Sequence, residues 1–464
     1  MKIKNTSNIE TEVLVINMFE GEKTSQELAN IHALEKDNFE GKLGQTYLMH
    51  TLGNAPADKI LIIGCGKREE FNANKMREVV AKSIKKLQQI KAKKATFDFN
   101  IEEDYGKQAT IGALIADYAF DKFKSEKAHH LEEVTFTKFS QEQINEGIIF
   151  GEAMKFTRDL ANSPAQIATP QKLAQTALEI EGLETKIFEK DEIEKMGMNA
   201  FLAVGQGSVN PPKFIHMKYS VPNPKKRIAI IGKGICFDSG GLDIKPAASR
   251  LTMKDDMSGA ACTLGVMQAL VKLKLEIEVH GIIAACENMP SGSSYKPGDI
   301  LTAKNGKTIE VDNTDAEGRL TLADALCYAE ELGVDEIIDI ATLTGACVVA
   351  LGSVATGIMG NNDELIKKLI EAGKNSGETF WQLPMFNEYK KSLNSDIADM
   401  KNTGSRQGGA SIAGIFLQEF VKNTKWCHID IAGTAYLEKP QGEFISGATG
   451  VGVRTLLNYI KSGI

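Results

Sequence analysis

The sequence lacks the short motifs that mark several common kinds of catalytic site. No Gly-x-Ser-x-Gly turn and no His-Glu-x-x-His pair occurs, and the seven cysteines include no Cys-x-x-Cys pair. These absences exclude a serine hydrolase with a nucleophile elbow, a zinc site on a His-Glu-x-x-His helix and a paired-thiol site of that spacing. The seven histidines are dispersed, and each is predicted to be a surface or core residue rather than a metal ligand.

The chain also lacks an excess of positive charge and a clear membrane-spanning segment. The net charge of −7 gives no general attraction to nucleic acid or anionic lipid. Residues 340–362 carry no charge, but glycines and threonines interrupt them, so a strand followed by a glycine-rich, buried loop is predicted rather than a membrane span. The start of the chain lacks the apolar core of a signal peptide, and scattered cysteines are typical of reduced thiols. We therefore expect a cytoplasmic protein.

The most informative feature that is present is an acidic octapeptide. Residues 313–320 read Asn-Thr-Asp-Ala-Glu-Gly-Arg-Leu, which spaces Asp315, Glu317 and Arg319 two residues apart. In an extended segment this spacing aims all three side chains at one side of the backbone. Two carboxylates there favour a divalent metal ion and leave the guanidinium to hold an anion. From these residues alone, a solvated loop with a surface ion pair remains the alternative.

A second acidic cluster follows a buried-strand run at 228–231. The run breaks into a glycine-rich loop that carries Lys233 and Asp238, and Lys245 precedes a proline further along. Asp255 and Asp256 come just before a stretch with helical spacing. A helix cap is the favoured interpretation for Asp255, whereas cap and metal ligand both stay open for Asp256.

In this order and at these intervals, the two clusters resemble the leucyl (cytosol) aminopeptidase family. The resemblance extends to Ala-Thr-Leu-Thr-Gly-Ala at 341–346 and to His-Ile-Asp-Ile-Ala-Gly at 428–433, so it covers roughly residues 150–464. It implies a metal-dependent aminopeptidase that releases apolar, leucine-like residues from peptides with a free N-terminus. It also implies a homohexamer.

The resemblance implies a ligand set for two metal ions. Asp238 and Glu317 would bridge the ions, Lys233 and Asp256 would complete one ion, and Asp315 would complete the other. The ions would be Mn²⁺ or Zn²⁺, with Mg²⁺ and Co²⁺ as alternatives, because a carboxylate set without histidine suits hard or borderline cations.

Catalytic and substrate-binding roles are likewise implied by the resemblance. Lys245 would stabilise the negative charge that develops on the substrate oxygen, and Arg319 would hold a bicarbonate that shuttles a proton. The predicted substrate-binding residues are Lys245, Met253, Asn313, Thr342, Leu343, Gly345, Ala432 and Ala435. Most of them are small or apolar, which predicts an apolar N-terminal residue in the substrate. Asp243 and Asp255 lie nearby in sequence and leave a basic residue as the alternative.

Two other functions have to be weighed against this one. Paired carboxylates would also serve a carboxylate-based two-metal phosphoesterase, which is the alternative to peptide hydrolysis. Metal coordination by a neutral Lys233 is a rare role, and it favours the peptidase by resemblance. DNA binding as a side activity is not expected from the acidic balance of charge.

Alternating strand-like and helical segments predict the fold class. The predicted strands are 13–16, 60–63, 95–99, 228–231, 277–285, 336–341 and 427–431. The predicted helices are 75–90, 109–120, 141–162, 257–273, 318–332, 363–373 and 411–422. This alternation predicts a smaller N-terminal α/β domain, residues 1–140, and a connecting helix, residues 141–162. A larger α/β catalytic domain with a mostly parallel central sheet would follow over residues 163–464.

Overall fold

Two large sheets organise the part of the chain that the computed structural model describes, residues 1–22 and 38–463. Each sheet belongs to its own compact unit. One unit contains Met1–Lys155 with Lys439–Ser446, and the other contains Phe156–Glu438 with Gly447–Ile464. His32, one of the dispersed histidines, lies outside the described residues.

The first unit is built on a six-stranded sheet. Its strands are β1 (Lys2–Asn5), β2 (Thr11–Met18), β3 (Thr46–His50), β4 (Ala57–Gly64), β5 (Lys94–Asp98) and β6 (Glu133–Phe136). Their order across the sheet is β1-β6-β5-β2-β4-β3, and every pair is parallel except β3 with β4. The central strand β2 buries alternate residues in two separate apolar clusters, Val13 and Val15 in one and Leu14 and Ile16 in the other. Burial on both faces explains its unbroken apolar run.

Three helices accompany this first sheet in the chain. They are α1 (Ala73–Gln89), α2 (Gly106–Asp117) and α3 (Gln141–Asn162). The division between the two units falls inside α3, between Lys155 and Phe156. The domain limits at 140 and 163 stay a prediction.

The second unit contains an eight-stranded sheet and two small ones. Its strands are β7 (Glu184–Phe188), β8 (Lys213–Tyr219), β9 (Arg227–Asp238), β10 (Glu278–Asn288), β11 (Ile300–Thr302), β12 (Thr308–Glu310), β13 (Glu336–Ala341), β14 (Thr356–Gly360), β15 (Phe380–Gln382), β16 (Met400–Lys401), β17 (Lys425–Asp430), β18 (Tyr436–Leu437) and β19 (Gly447–Ala448). Its further helices are α4 (Pro170–Leu178), α5 (Lys190–Lys195), α6 (Asn199–Gly205), α7 (Ala247–Arg250), α8 (Ser258–Leu273), α9 (Gly318–Glu331), α10 (Gly345–Leu351), α11 (Asp363–Ser376), α12 (Gly409–Gln418) and α13 (Val453–Ser462).

Parallel strands form the centre of the large sheet. The order is β15-β14-β17-β13-β9-β10-β8-β7. The four central strands β17, β13, β9 and β10 are parallel, whereas β8 and β14 pair with them antiparallel. Strand β9 is buried along nearly its whole length, as a strand covered on both faces must be. The predicted α/β fold with a mostly parallel sheet is confirmed.

The uncharged stretch 340–362 differs from its prediction. Instead of a buried loop it forms the helix α10 and the strand β14. The side chain of Thr344 caps α10 by accepting a hydrogen bond from the Cys347 N–H at 2.9 Å, and the helix leaves Val349 87% exposed. The buried-loop prediction was wrong because Gly345 and Gly352 lie at the two ends of a helix, whereas Gly357 and Gly360 lie within a strand. Among the described residues, no helix combines the length and apolarity needed to cross a bilayer.

Candidate active site

The predicted site residues lie at or near the carboxyl ends of neighbouring strands. Lys233 and Asp238 belong to β9 itself, so the predicted glycine-rich loop after residue 231 was wrong; the glycines at 232 and 234 are part of the strand. Asp238 is the last residue of β9, Asn288 the last of β10, Ala341 the last of β13 and Asp430 the last of β17. Open parallel sheets place binding sites at this edge, because the loops that follow adjacent strands meet there. The second unit therefore brings together segments that lie almost 200 residues apart in sequence.

The acidic octapeptide adopts a turn that leads into a helix. Asp315 lies in the turn, Glu317 immediately precedes α9, and Arg319 is in the first turn of α9. The predicted extended segment was therefore wrong, although the carboxylates of Asp315 and Glu317 still converge. Gly318 follows Glu317, and a Cβ at this position would lie 2.6 Å from Lys233 Nζ, so a side chain there would crowd the lysine.

Three carboxylates of the two acidic clusters meet in one place. Asp238, Asp315 and Glu317 each offer an oxygen, and these oxygens all lie within 4.8 Å of one another. The fourth predicted carboxylate, Asp256, joins them through Lys233, whose Nζ lies 2.9 Å from Asp256 Oδ1 and 2.8 Å from Glu317 Oε1. The structure thus brings the five predicted metal-binding residues together.

Lys245 completes an ion-pair network at the other side of the cluster. Its Nζ lies 2.8 Å from Asp238 Oδ2 and 2.5 Å from Asp315 Oδ1. Two ammonium groups therefore contact four carboxylates, which leaves an excess of two negative charges in a largely buried space. Lysine pairing alone does not neutralise the site.

The carboxylates themselves fit divalent cations. Burial, with the neighbouring Glu317, raises the pKa of Asp238 to about 6, and burial also raises the pKa of Asp256. Asp256 Oδ2 and Glu317 Oε2 are buried and have no hydrogen-bond partner within the described part of the chain. Unpaired carboxylate oxygens in a negatively charged cluster are the ligands that hard divalent ions bind.

The buried lysine of the cluster is a cation in this arrangement. Burial disfavours the charged form of Lys233, but the surrounding carboxylates, Asp256 first, outweigh burial and raise its pKa. Burial would likewise raise the pKa of Glu317, but Lys233 and Lys245 outweigh it and hold that pKa below its ordinary value. A metal ion would compete with the Lys233 ammonium for the same oxygens, so metal binding and loss of this proton are linked.

Arg319 is buried beside the cluster without pairing to it. Its Nη1 donates to the carbonyl oxygen of Asn402 at 2.8 Å, and burial lowers its pKa to about 10, so it remains a cation at neutral pH. Among the described residues no salt bridge involves Arg319, and its Nε has no hydrogen-bond partner. A buried guanidinium with an unused donor suits a small anion.

One buried carboxylate holds two of the predicted substrate-binding segments. Asp430 Oδ1 accepts from the N–H groups of Leu343 and Ala432, each at 3.1 Å, and Oδ2 accepts from Thr344 Oγ1 at 2.7 Å. These bonds fix the backbone after β13 relative to the backbone after β17. Asp430 therefore sets the shape of this side of the site.

The other predicted substrate-binding residues lie around the same edge. Thr342 Oγ1 donates to Asp256 Oδ1 at 2.8 Å, and Asn313 Oδ1 accepts from the Asp315 N–H at 2.7 Å. Gly345 begins α10, and a Cβ there would meet nothing within 4 Å. Met253 opens the short 3₁₀ turn that ends just before Asp256, whereas Ala435 is buried beneath the surface.

The cap prediction for Asp255 was wrong. Helix α8 begins at Ser258 after Met257, and no side chain caps it. The carboxyl of Asp255 is instead buried, and burial raises its pKa to about 7. Asp255 ends the 3₁₀ turn and Asp256 directly precedes Met257, which occupies the N-cap position, so neither aspartate caps the helix.

Two asparagines at the site were missed in the sequence. Asn402 Nδ2 donates to the Asn313 carbonyl at 2.7 Å and its Oδ1 accepts from the Asp312 N–H at 2.8 Å, so it holds the octapeptide. Asn288 donates to Asp238. A polar residue at the end of a buried strand could have indicated Asn288, but no local pattern indicates Asn402.

The chain is similar to known proteins over most of its length. The family model described as cytosol aminopeptidase family, catalytic domain, matches residues 155–457, and the N-terminal domain model of the same family matches residues 15–127. The probable cytosol aminopeptidase of Persephonella marina is 46% identical, with 92% of this chain and 89% of the relative covered. That of Aquifex aeolicus is 44% identical, again with 92% and 89% covered. A solved structure of the bottromycin maturation enzyme BotP in complex with Mn has a TM-score of 0.91 and 31% identity, with 97% of this chain and 99% of that chain covered.

Replacing Asp430 separates its hydrogen bonds from its charge. Asp430→Ala leaves two N–H groups and one hydroxyl without their acceptor, and we expect the free energy of unfolding to fall by about 2–4 kcal/mol. Asp430→Asn keeps an oxygen for both N–H groups, and its amide can donate to the Thr344 hydroxyl, so the loss should stay below about 1 kcal/mol. Denaturant unfolding measures both values. Equal losses in the two variants would contradict this role.

Proposed function

The chain belongs to the cytosol aminopeptidase family and is a peptidase hydrolase, and from this premise we propose that it uses two divalent metal ions to release apolar, leucine-like residues from peptide N-termini. The observation that carries the proposal is the convergence of Asp238, Asp315 and Glu317, whose ligand oxygens lie within 4.8 Å of one another. Carboxylates gathered this closely stay ionised together only when cations lie between them.

The proposed ligand set divides the cluster into two halves. Asp238 and Glu317 would be shared by the two ions, Lys233 and Asp256 would complete the ligands of one ion, and Asp315 would complete those of the other. The ion pairs support two cation positions, because Lys233 contacts one pair of carboxylates and Lys245 contacts the other pair. We propose Mn²⁺ or Zn²⁺, with Mg²⁺ and Co²⁺ as alternatives; the similar BotP was solved with Mn.

In peptide hydrolysis at this site, the ions and the protein have separate roles. When bound, the ions supply Lewis acidity towards the α-amine and the scissile carbonyl and lower the pKa of a water molecule. The carboxylates of Asp238, Asp315 and Glu317 would hold the positively charged ions in a fixed position. A site that recognises the free α-amine releases the N-terminal residue and leaves internal peptide bonds intact.

Two cationic side chains are proposed to act without holding the ions. Lys245 is only partly buried, and its ammonium stabilises the negative charge that develops on the substrate oxygen. Arg319 binds and orients a bicarbonate as the proton carrier, because a guanidinium stays protonated and cannot act as a base. Its unpaired, buried Nε supports an anion at this position.

The substrate side chain is proposed to occupy an apolar pocket. Its lining would be Met253, Thr342, Leu343, Gly345, Ala432 and Ala435, with Asn313 at its edge. The open space beside Gly345 supports room for a side chain there. None of these residues offers a charged partner, so a charged N-terminal residue would lose its hydration without compensation.

Assembly and location complete the proposal. A homohexamer is supported by apolar side chains that a monomer would expose, Val349 at 87%, Val354 at 70% and Trp381 at 64%. Sedimentation velocity should show six chains of 50.5 kDa in the active species, and a monomer alone would refute the hexamer. A cytoplasmic location is supported by the seven cysteines, which are all buried and free.

Metal removal should abolish activity and preserve the fold. Chelation takes away the Lewis acid, and Mn²⁺, Zn²⁺ or Co²⁺ should restore hydrolysis of a leucine anilide. The far-UV circular dichroism should remain unchanged, because the ligand-bearing strand β9 is held by backbone hydrogen bonds to β10 and β13 and by apolar packing. Elemental analysis of Asp256→Ala and Glu317→Ala should show lost ion occupancy. Full activity in thoroughly stripped protein is incompatible with the proposal.

Lys245→Ala should lower kcat on the order of a hundredfold while both ions stay bound, because removing one electrostatic stabiliser typically costs that much. Arg319→Ala should also lower kcat and weaken the response to added bicarbonate. Lys296→Ala, which changes an exposed lysine, is the control and should keep the original kcat. A variant of Lys245 or Arg319 with unchanged kcat would remove that residue from the mechanism and leave the metal site standing.

A substrate panel tests both the pocket and the alternative function. Leucine and methionine anilides should have the highest kcat/KM, because the pocket residues are small or apolar. The same preparation with Mn²⁺ should leave a phosphate diester uncleaved. A profile led by aspartate, lysine or arginine would contradict the apolar pocket, and faster cleavage of the diester would favour the two-metal phosphoesterase. A gel shift would detect DNA binding, which is not expected.

A further inference from the structure

The parallel strands β9 and β10 change register just before they end. Cys286 of β10 faces Ile235 of β9, but Asn288 then faces Asp238. Two residues of β9, 236 and 237, therefore lie opposite the single residue 287. A β-bulge of this kind re-aims the side chains that follow it. Here it brings the amide of Asn288 beside a carboxylate of the proposed metal centre.

Asn288 is fully buried and donates with its amide nitrogen to two acceptors. Nδ2 lies 2.9 Å from Asp238 Oδ1 and 3.0 Å from the carbonyl oxygen of Thr314. Both partners are acceptors only, so the orientation of the amide follows from the bonds themselves. Its Oδ1 is buried and has no hydrogen-bond partner among the residues described. Leaving a buried acceptor without a partner costs free energy. Packing alone therefore does not explain Asn288, because an apolar side chain could fill the same space without this cost.

The two acceptors belong to the two segments that carry the proposed metal ligands. Asp238 ends β9, whereas Thr314 directly precedes Asp315. A second link joins the same segments, because Thr314 Oγ1 donates to the carbonyl oxygen of Gly240 at 2.7 Å. Tyr295 Oη also donates to the Thr314 carbonyl, at 2.6 Å, but does not contact Asp238. Asn288 thus links the carboxylate and the neighbouring segment by hydrogen bonds from one neutral amide, in addition to the ion pairs that Lys245 makes with Asp238 and Asp315.

The backbone around this amide is shaped to admit it. Gly241 has a φ of +67°, and a Cβ there would lie 2.8 Å from Asn288 Oδ1 and 3.0 Å from Thr314 Oγ1. Only glycine combines this backbone conformation with such a close approach. A glycine is therefore needed after Asp238 because the Asn288 side chain packs directly against the backbone at this position.

We infer that Asn288 is a positioning residue of the metal centre, which orients Asp238 and fixes the Asp315 segment beside it. Asp238 Oδ1 accepts from Asn288 and from the Gly240 N–H at 2.9 Å, whereas Oδ2 faces only the ammonium of Lys245. The amide therefore holds one oxygen and leaves the other directed at the cation position. This inference rests on the proposed metal-dependent function, and hydrogen bonds to metal-binding carboxylates tune metal affinity in general.

Metal binding to three full-length proteins tests the inference. Mn²⁺ is titrated by calorimetry into metal-free wild-type protein, Asn288→Ala and Tyr295→Phe. Asn288→Ala should bind Mn²⁺ about 10–100-fold more weakly, as expected for loss of a partner that orients a ligand. Tyr295→Phe removes a hydrogen bond to the same Thr314 carbonyl but leaves Asp238 oriented, so its Kd should stay within about threefold of wild type.

The metal-free melting temperatures of all three proteins separate positioning from folding. A purely structural Asn288 would lower this temperature and leave the Mn²⁺ affinity unchanged, which would overturn the inference. Equal weakening in both variants would also overturn it, because the effect would then pass through the Thr314 carbonyl. If Asn288→Ala does not fold, Asn288→Ser takes its place under the same criteria. Absence of Mn²⁺ and Zn²⁺ binding in wild-type protein would instead refute the proposed function.

Discussion

Repulsion among four carboxylates in a largely buried space is the constraint on which the site depends. Asp238, Asp256, Asp315 and Glu317 cannot all be ionised there unless positive charge lies between them. Lys233 and Lys245 supply half of that charge and leave two carboxylate oxygens unpaired. Keeping all four carboxylates ionised would therefore require cations in addition to the two lysines. The sheet, the loops and the hydrogen bonds around the cluster can be understood as the means by which this unfavourable arrangement is kept in place.

The parallel sheet can hold these carboxylates together because it fixes segments that are distant in sequence at one of its edges. Strands β9, β10, β13 and β17 are held to one another by backbone hydrogen bonds and are buried on both faces, so their carboxyl ends have little freedom. Three of these ends carry a polar residue that acts on a neighbour, Asp238, Asn288 and Asp430. Asp430 holds the backbone after two strands, and Asn288 links two ligand segments. Rigidity at this edge comes from the apolar interior, while the chemistry comes from the few residues just beyond it.

The sequence predicted those parts of the molecule whose signal is local. The strand at 336–341 was found from its apolar run, and helix α3 was found as a long helical segment that ends near Pro164. The five metal-binding candidates came from the resemblance to the cytosol aminopeptidase family, since no local rule assigns a lysine such as Lys233 to a metal ion. Helix α10 was missed because its small residues resemble a glycine-rich loop. Asn402 could not be found, since a lone asparagine gains its role only when the fold brings it against the octapeptide. The turn at Asp315 also escaped prediction, because its conformation depends on these long-range hydrogen bonds.

The two lysines of the cluster differ in their relation to metal. Lys233 Nζ contacts Asp256 and Glu317, so an ion that takes oxygens of this pair competes with the ammonium for them. Loss of the Lys233 proton would free those oxygens and turn the amine into a ligand, which couples metal affinity to pH. Lys245 contacts Asp238 and Asp315, and its proposed role requires that its ammonium stay charged beside the ions. Similar contacts therefore serve different ends, because one lysine would give up its charge to the metal and the other would keep its charge for the substrate.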